Sequence, residues 1–468
     1  MTISDVIMQG TLWASLFCTV TMDKLGKQVY SMPELLYQYK GVGVPPLGMV
    51  DDIVTVTDVE RTEEMNNLVN TFIEHKNLRL SKEKCYRIHI GKGHENCPEL
   101  KVHGETMKEA EQEKYLGDIL HKNGSIQATI ESRCKKGDGI IAEILSIINE
   151  VPLGKYKTEV GLKLRDAMLL NGILYNSEAW HGVTSAQVVK LQQIDEALLR
   201  GILKAHVKTP REFLYLETGT TPIKYILAQR RINYLKHILS RNDSELLKKV
   251  FLAQKENPTR GDFIKLVEKD IAMLGITYEE VSSGKLSKLQ LKTTANSVAF
   301  ESLMSQLKNH TKVKHITYKT FAMQPYLKSD LFLSKESILL TALRSHCLRG
   351  IKGNFKKMYQ NNLCCPLNCD TENLPEDTQS HTPLCQSLRK GQDNDMVRME
   401  FMNGSVQEQS HLAKQFSVLY KRRLKKLEEQ EEVSSSSLLG ALFLDLSTRP
   451  LQQQQQGAAA VHIVQLLG

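Results

Sequence analysis

Asp51 and Asp52 are adjacent carboxylates inside the apolar run of residues 47–56. Apolar positions on both sides of an acidic pair predict a strand-turn-strand hairpin with the carboxylates at its tip. A metal-dependent nucleotidyl transferase needs that arrangement, because hard Mg²⁺ prefers oxygen ligands and a rigid hairpin holds them against the reacting end. The pair in isolation has a plainer account, since acidic turn residues commonly cap and solvate. A second cluster lies far downstream, where Cys365, Cys369, His381 and Cys385 follow the spacing C-x3-C-x11-H-x3-C. Three thiolates and one imidazole form a tetrahedral Zn²⁺ set of the structural kind. Its first spacing is longer than the usual C-x2-C, and adjacent Cys364 competes as a ligand.

The elements that must carry these groups are partly readable from periodicity. Residues 11–25 predict a helix through Leu12, Leu16, Val20 and Leu25, followed by a turn-rich piece at 41–48 containing Pro45 and Pro46. Residues 62–75 show helical spacing through Met65, Leu68, Val69 and Phe72, whereas 78–90 alternate like a strand that carries Lys84. Beyond Tyr115-Leu116-Gly117 the pattern turns helical, with Ser125 as an N-cap and apolar stripes through Val188, Leu191, Ile194, Leu198 and Ile202 and again over 223–239. Residues 253–335 read as a polar helical connector broken at Pro258 and Gly284. From residue 391 a basic run at 421–426, then Glu428, Glu429, Glu431 and Glu432, four serines and five glutamines describe a charged helix followed by low complexity, a composition that builds no core.

Composition bounds the answer. A chain of 468 residues with 41% apolar and 24% charged positions supports two or three globular domains. A net charge of +8 suits contact with polyanions without requiring it. Nine cysteines, an odd number, and the lack of a secretory pattern in the first thirty residues predict an intracellular, reducing setting, nuclear or cytoplasmic. No run approaches the roughly 20 apolar residues of a membrane helix, so no membrane partner is expected.

The order of the candidate motifs is more specific than any one of them. Residues 9–16, Gln9-Gly10-Thr11-Leu12-Trp13-Ala14-Ser15-Leu16, precede the Asp pair; Lys84 and then Lys114-Tyr115-Leu116-Gly117 follow it. In this order the chain resembles the palm of reverse transcriptases of non-LTR (LINE-type) retrotransposons. The resemblance implies an RNA-directed DNA polymerase acting on an RNA template, a DNA primer and dNTPs with Mg²⁺. Gln9 and Gly10 would lie against template and nucleotide, Asp51 and Asp52 would bind Mg²⁺, Lys84 would stand near the triphosphate, and Tyr115, Leu116 and Gly117 would form the primer grip. In that family's mechanism two metal ions bridge the aspartates and the triphosphate.

Residues 173–180 (Ile173-Leu174-Tyr175-Asn176-Ser177-Glu178-Ala179-Trp180) resemble the family's thumb, with an apolar body expected in the core. The surroundings of the Cys/His cluster resemble its C-terminal zinc knuckle, with Arg344, Arg349, Lys352, Lys356 and Lys357 as phosphate contacts and Tyr359 for stacking. A solvated basic helix face is the plainer account of those cations.

The resemblance spans residues 2–240 and 340–388. The expected architecture is α+β: a partial right-hand polymerase palm (1–104), primer grip and helical thumb (105–240), a helical connector (241–339), a zinc-knuckle-like module (340–390) and a charged, low-complexity tail (391–468). Two departures stand out. Met49 occupies a position that is usually aromatic in the family, and the aspartate strand that completes the metal site is expected upstream of Gln9. The chain is therefore expected to begin too late for a whole catalytic site, to leave the hairpin without its central sheet neighbour, and not to polymerise on its own. The reading from a different class is a non-catalytic nucleic-acid-binding protein that uses the thumb and knuckle; a helical scaffold is the third.

Overall fold

The structure is a computed structural model that describes residues 14–91, 98–150, 156–310, 313–314, 316–328, 334–345, 403–415, 417–418 and 459–465. It is α+β, with small sheets built mainly from the first quarter of the chain and helices thereafter, apart from one strand at 459–465.

Helix α1 (Ala14–Tyr30) buries Met22, Leu25 and Val29, while Leu16, Phe17 and Val20 stay exposed on its other side. The segment expected to be plain turn is instead a hairpin, β1 (Tyr37–Tyr39) and β2 (Val42–Val44), whose Lys40-Gly41 turn has positive φ at both residues. Such two-residue turns follow the right-handed twist of their strands. The acidic hairpin follows as β3 (Leu47–Met49) and β4 (Asp52–Thr57). Helix α2 (Thr62–His75) has the predicted bounds and buries Met65, Val69, Phe72 and Ile73, one face of a 3.6-residue period. The segment around Lys84 departs from expectation: residues Lys82–Lys84 form a 3-10 turn, and strand β5 starts only at Tyr86 (Tyr86–Ile90). Short strands β6 (Lys101–Val102), β7 (Glu105–Thr106) and β8 (Lys108–Glu109) lead to the hairpin β9 (Gln112–Tyr115) and β10 (Asp118–His121).

The main sheet has the order β3-β4-β11-β5-β8, where β11 is Ala459–Gln465. Alternation along β4 divides its two faces. Ile53 joins Met22, Leu25, Met65 and Ile73 under α1 and α2, whereas Val54 and Ile88 face Tyr115 and Leu120 of the β9–β10 hairpin. The sheet is thus covered by helices on one side and by a hairpin on the other.

The helical body begins with α3 (Gln127–Glu150), whose first turn is met by Ser125, its Oγ accepting from Gln127 N at 3.1 Å. Helix α4 (Lys157–Leu164) continues through a π-helical turn, Arg165–Leu170, into α5 (Asn171–Ile173). Helices α6 (Ser185–Leu203) and α8 (Ile223–Leu239) carry the two apolar stripes seen in the sequence, and between them lies α7 (Arg211–Thr218). A capping box of Thr184 and Gln187 starts α6. Gly219 ends α7 at φ +63°, where an added Cβ would meet the Ala322 backbone at 2.3 Å. Only glycine fits there.

The expected connector is folded into the core. Of helices α9 (Leu246–Glu256), α10 (Phe263–Leu274), α11 (Tyr278–Ser282) and α12 (Lys288–Lys308), the first two are separated near Pro258 and the last two near Gly284, as the sequence predicts, while Gly275 ends α10 before α11. One apolar cluster joins Tyr225, Ile232 and Leu235 of α8 to Val267, Ile271, Leu291 and Ala299, crossing the boundary expected at residue 240. A second joins Phe213, Leu216, Leu303 and Leu340 of α13 (Ser334–Arg344) to Leu412 and Ala413. The last two belong to the segment expected to build no core, so that expectation is corrected: β-propensity at 459–465 and apolar helix positions near 412 give the tail both a strand and a buried contact. No helix among the described residues is long and apolar enough to cross a membrane.

Candidate active site

Strand pairing sets the geometry of the acidic hairpin. Met49 faces Asp52 in the register, so the turn consists of Val50 and Asp51 alone. Val50 has φ +59°, the left-handed region that a β-branched residue rarely enters and where this kind of turn favours glycine. Asp51 is therefore at the exposed tip and Asp52 is half-buried at the start of β4. Helix α1 supports the turn from behind, with Cys18 Sγ donating to the Val50 carbonyl at 3.0 Å. Burial, and then the charge of Asp51, push the Cys18 thiol above its ordinary range. Between helix and hairpin lies a cleft of about 390 Å³ lined by Thr19, Met22, Lys27, Pro46, Gly48 and Val50.

A second tight turn is seated on the first. Tyr115 pairs with Asp118, leaving Leu116 (φ +46°) and Gly117 (φ +90°) as a two-residue turn with both residues left-handed. The Tyr115 hydroxyl donates to the Leu47 carbonyl at 3.4 Å, tying the Tyr-Leu-Gly turn to the acidic hairpin. Burial and then the negative charge of Asp52 raise the Tyr115 phenol above its ordinary range. The phenol and the carboxylate therefore share one electrostatic environment.

The far end of this turn is locked to the helical body. Asp118 Oδ1 accepts from Arg133 Nη2 at 2.9 Å and from Trp180 Nε1 at 3.4 Å, and Oδ2 accepts from Asn176 Nδ2 at 2.7 Å. Arg133 also donates to the Gly117 carbonyl at 2.8 Å, and its guanidinium lies 5.2 Å from the Tyr175 ring centroid. A Cβ on Gly117 would approach the Tyr175 ring to 3.0 Å. Ile119 N donates to Thr129 Oγ1 at 2.8 Å, adding a link to α3. Residues 173–180 thus do more than fill the core: Ile173, Leu174 and Trp180 are buried, while Asn176 and Trp180 hold the carboxylate behind the turn.

Lys84 sits on an exposed 3-10 turn rather than on the predicted strand. The register nevertheless sets it at the same end of the sheet as Asp52. Gln465 of β11 pairs with Asp52, and Ile463 of the same strand pairs with Tyr86, the first residue of β5, two positions after Lys84. Asp51, Asp52 and Tyr115 are therefore gathered, whereas Lys84 precedes β5, which β11 separates from β4. Asp23, on α1, pairs with Lys27 at 2.5 Å on the helix surface.

Arg344 corrects another expectation. It is buried, with Nε donating to Glu217 Oε1 at 2.7 Å, so it is not available for phosphate. Gln9, Gly10, Cys365, Cys369, His381, Cys385, Arg349, Lys352, Lys356, Lys357 and Tyr359 lie outside the described residues. Among the described residues no group of three or more His, Cys, Asp or Glu side chains is placed to hold a metal. Asp51 and Asp52 are the right donor type for Mg²⁺ but too few for a closed site. Asp118, Arg133, Asn176 and Cys18 were missed by sequence reasoning. The one signal for Asp118 was a carboxylate immediately after a Leu-Gly turn.

Comparison of the chain with protein-family models finds no match, and comparison with curated proteins finds none.

Proposed function

We propose that the chain is the palm and thumb of an RNA-directed DNA polymerase of the non-LTR, LINE-type retrotransposon kind, which seats an RNA-template and DNA-primer pair beside the Asp51-Asp52 hairpin. The observation that carries this reading is the contact between the two turns. Tyr115 of the turn that resembles the primer grip lies on Leu47 of the hairpin that resembles the metal-binding one, across 68 residues of sequence. Motif order alone does not require that proximity.

In this reading Asp51 and Asp52 are metal ligands, Lys84 faces the triphosphate side, and Tyr115, Leu116 and Gly117 position the primer end. Arg133 and Asp118 are positioning residues that act through the turn. Among the described residues no third His, Cys, Asp or Glu side chain joins Asp51 and Asp52 to make a metal-holding group, and metal-dependent extension needs a further carboxylate. We infer that the chain binds primer-template and, without such a carboxylate, does not extend it. Outside the described residues, Cys365, Cys369, His381 and Cys385 are proposed to bind structural Zn²⁺ and to grip nucleic acid.

A second reading, a non-catalytic nucleic-acid-binding protein, is favoured by one observation: the residue facing Asp52 across the sheet is Gln465, which has no carboxylate. Primer extension on an RNA template, with Asp51→Ala as control, separates the two. Asp51-dependent synthesis would overturn the inactivity of the chain. Failure of a fluorescent primer-template to bind would overturn both readings. A zinc-to-protein ratio near zero after reducing purification would remove the knuckle.

A further inference from the structure

The main sheet is closed by the far end of the sequence. Strand β11 runs antiparallel to β4 from Ala460↔Thr57 to Gln465↔Asp52, and antiparallel to β5 from Ala459↔Ile90 to Ile463↔Tyr86. Strands β4 and β5 run parallel to each other with β11 between them, so without it their facing edges stand about two strand spacings apart, or 9–10 Å, with unpaired backbone groups.

Each of the two flanking strands has its own anchors. Ile53 on β4 and Cys85 just before β5 join the same apolar cluster under α1 and α2, and Val54 and Ile88 meet under the β9–β10 hairpin. Thr57 Oγ1 donates to the Leu35 carbonyl at 3.4 Å, and Ala110 N donates to the Arg87 carbonyl at 2.9 Å. These contacts hold the walls of a slot one strand wide. The segment that fills it, Ala-Ala-Val-His-Ile-Val-Gln, contains β-branched residues and lacks proline, glycine and formal charge, a composition suited to a central strand.

We propose that the gap between β4 and β5 is a strand-binding site whose resident ligand is residues 459–465 of the same chain, and that any extended segment of like composition competes for it once the resident strand is withdrawn. Backbone pairing on both edges provides the attachment, as in recognition by strand addition. Covalent connection makes the resident strand an intramolecular competitor that masks the site. The acidic hairpin is then framed by this strand, whose register with β4 ends at Gln465 opposite Asp52.

The test uses the full chain and its His462→Pro variant, which removes a ladder donor in the middle of β11. Amide hydrogen exchange at residues 53–57 and 86–90 is expected to accelerate by about tenfold or more in the variant, with α6 and α8 unchanged. A synthetic peptide of residues 458–466 is expected to bind the variant and restore protection, to bind the unmodified chain at least about tenfold more weakly, and a scrambled peptide to bind neither. Unchanged exchange in both strands, or equal binding of the two peptides, overturns the proposal. Should the variant lose protection throughout, a Val56→Cys, Val461→Cys pair decides, because these residues face each other in the register and directly opposed strand positions are close enough for a disulfide. Peptide mapping is expected to find the intrachain bond. Its absence, or a bond formed only between chains, overturns the proposal.

Discussion

The sheet end and the helical body treat charge in opposite ways. Among the described residues three arginine-carboxylate pairs are buried on both sides, Arg165–Asp195, Arg231–Asp270 and Arg344–Glu217, and all lie in the helical body. Buried tyrosines join two of these pairs: Tyr215 donates to Asp195 at 3.1 Å and Tyr318 donates to Glu217 at 3.1 Å. Burial alone would lower the basicity of Arg165 and Arg344, but the paired carboxylates outweigh it and hold both guanidiniums well above their ordinary range. At the sheet end Asp51 is exposed and Asp52 is half-buried. Closed charges hold helices in register; open ones remain available to a ligand. Burial and pairing, rather than residue type, separate structural carboxylates from candidate chemical ones in this chain.

Breaking a closed pair should have the largest effect. Glu217→Ala leaves Arg344 buried without its carboxylate and is expected to cost about 3–5 kcal/mol, read as a lower urea midpoint at unchanged slope. A loss under about 1 kcal/mol would mean that the helical pairs are not closed in the sense argued. Asp118 stands between the two regimes, and Asp118→Ala is expected to cost about 1.5–3 kcal/mol, since it removes charged hydrogen bonds from Arg133, Asn176 and Trp180. The same variant should weaken primer-template binding, while Asp118→Asn should recover part of both; binding that follows neither variant would unlink the turn from the nucleic acid.

Acid should act at a third place. The Lys40 ammonium on the β1–β2 turn pairs with Asp262 at 2.5 Å, and Thr259 N donates to the same carboxylate at 2.7 Å. Burial raises the Asp262 carboxyl, but these hydrogen bonds outweigh it and hold it below the ordinary range. A carboxyl depressed in the folded state stabilises above its unfolded value, about 3.9, and that contribution disappears as pH falls through the lower folded value. Stability of the unmodified chain should therefore fall with acid over that window more steeply than that of Lys40→Ala, and parallel profiles would remove the pair from the account. The smallest effect is expected at the open tip: Asp51→Asn should change stability by no more than about 0.5 kcal/mol. A larger loss would move Asp51 into the structural class.

Long periodic elements were legible in the sequence because one face of each must be buried. Helices α2 and α8 and the stripe on α6 follow directly from apolar spacing, and the Asp51-Asp52 hairpin follows from alternation on both sides of a polar pair. What was misread depended on partners distant in sequence. Tyr37, Tyr39, Val42 and Val44 form a hairpin that the neighbouring prolines concealed, and its Lys40 reaches a carboxylate 222 residues away. Arg344 looked like one of several cations on a basic helix, and only its pairing with Glu217 at a separation of 127 residues shows it to be internal. Strand β11 was hidden behind low-complexity sequence, although its β-branched run was there to be read. For the site, the acidic pair and the Tyr-Leu-Gly turn were both visible, but nothing local indicated that Asp118, Arg133, Asn176 and Trp180 bind the second turn to the helices.

The position of β11 also bears on synthesis. Strands β4 and β5 are synthesised long before the segment that pairs with both. At about 5–20 residues per second, the interval between Ile90 and Ala459 is on the order of half a minute. Throughout that time the nascent chain carries two apolar strands with open edges, the surface most prone to pairing with other chains. Yield of the soluble protein should therefore depend on translation speed and chaperone supply more than the stability of its helices would indicate.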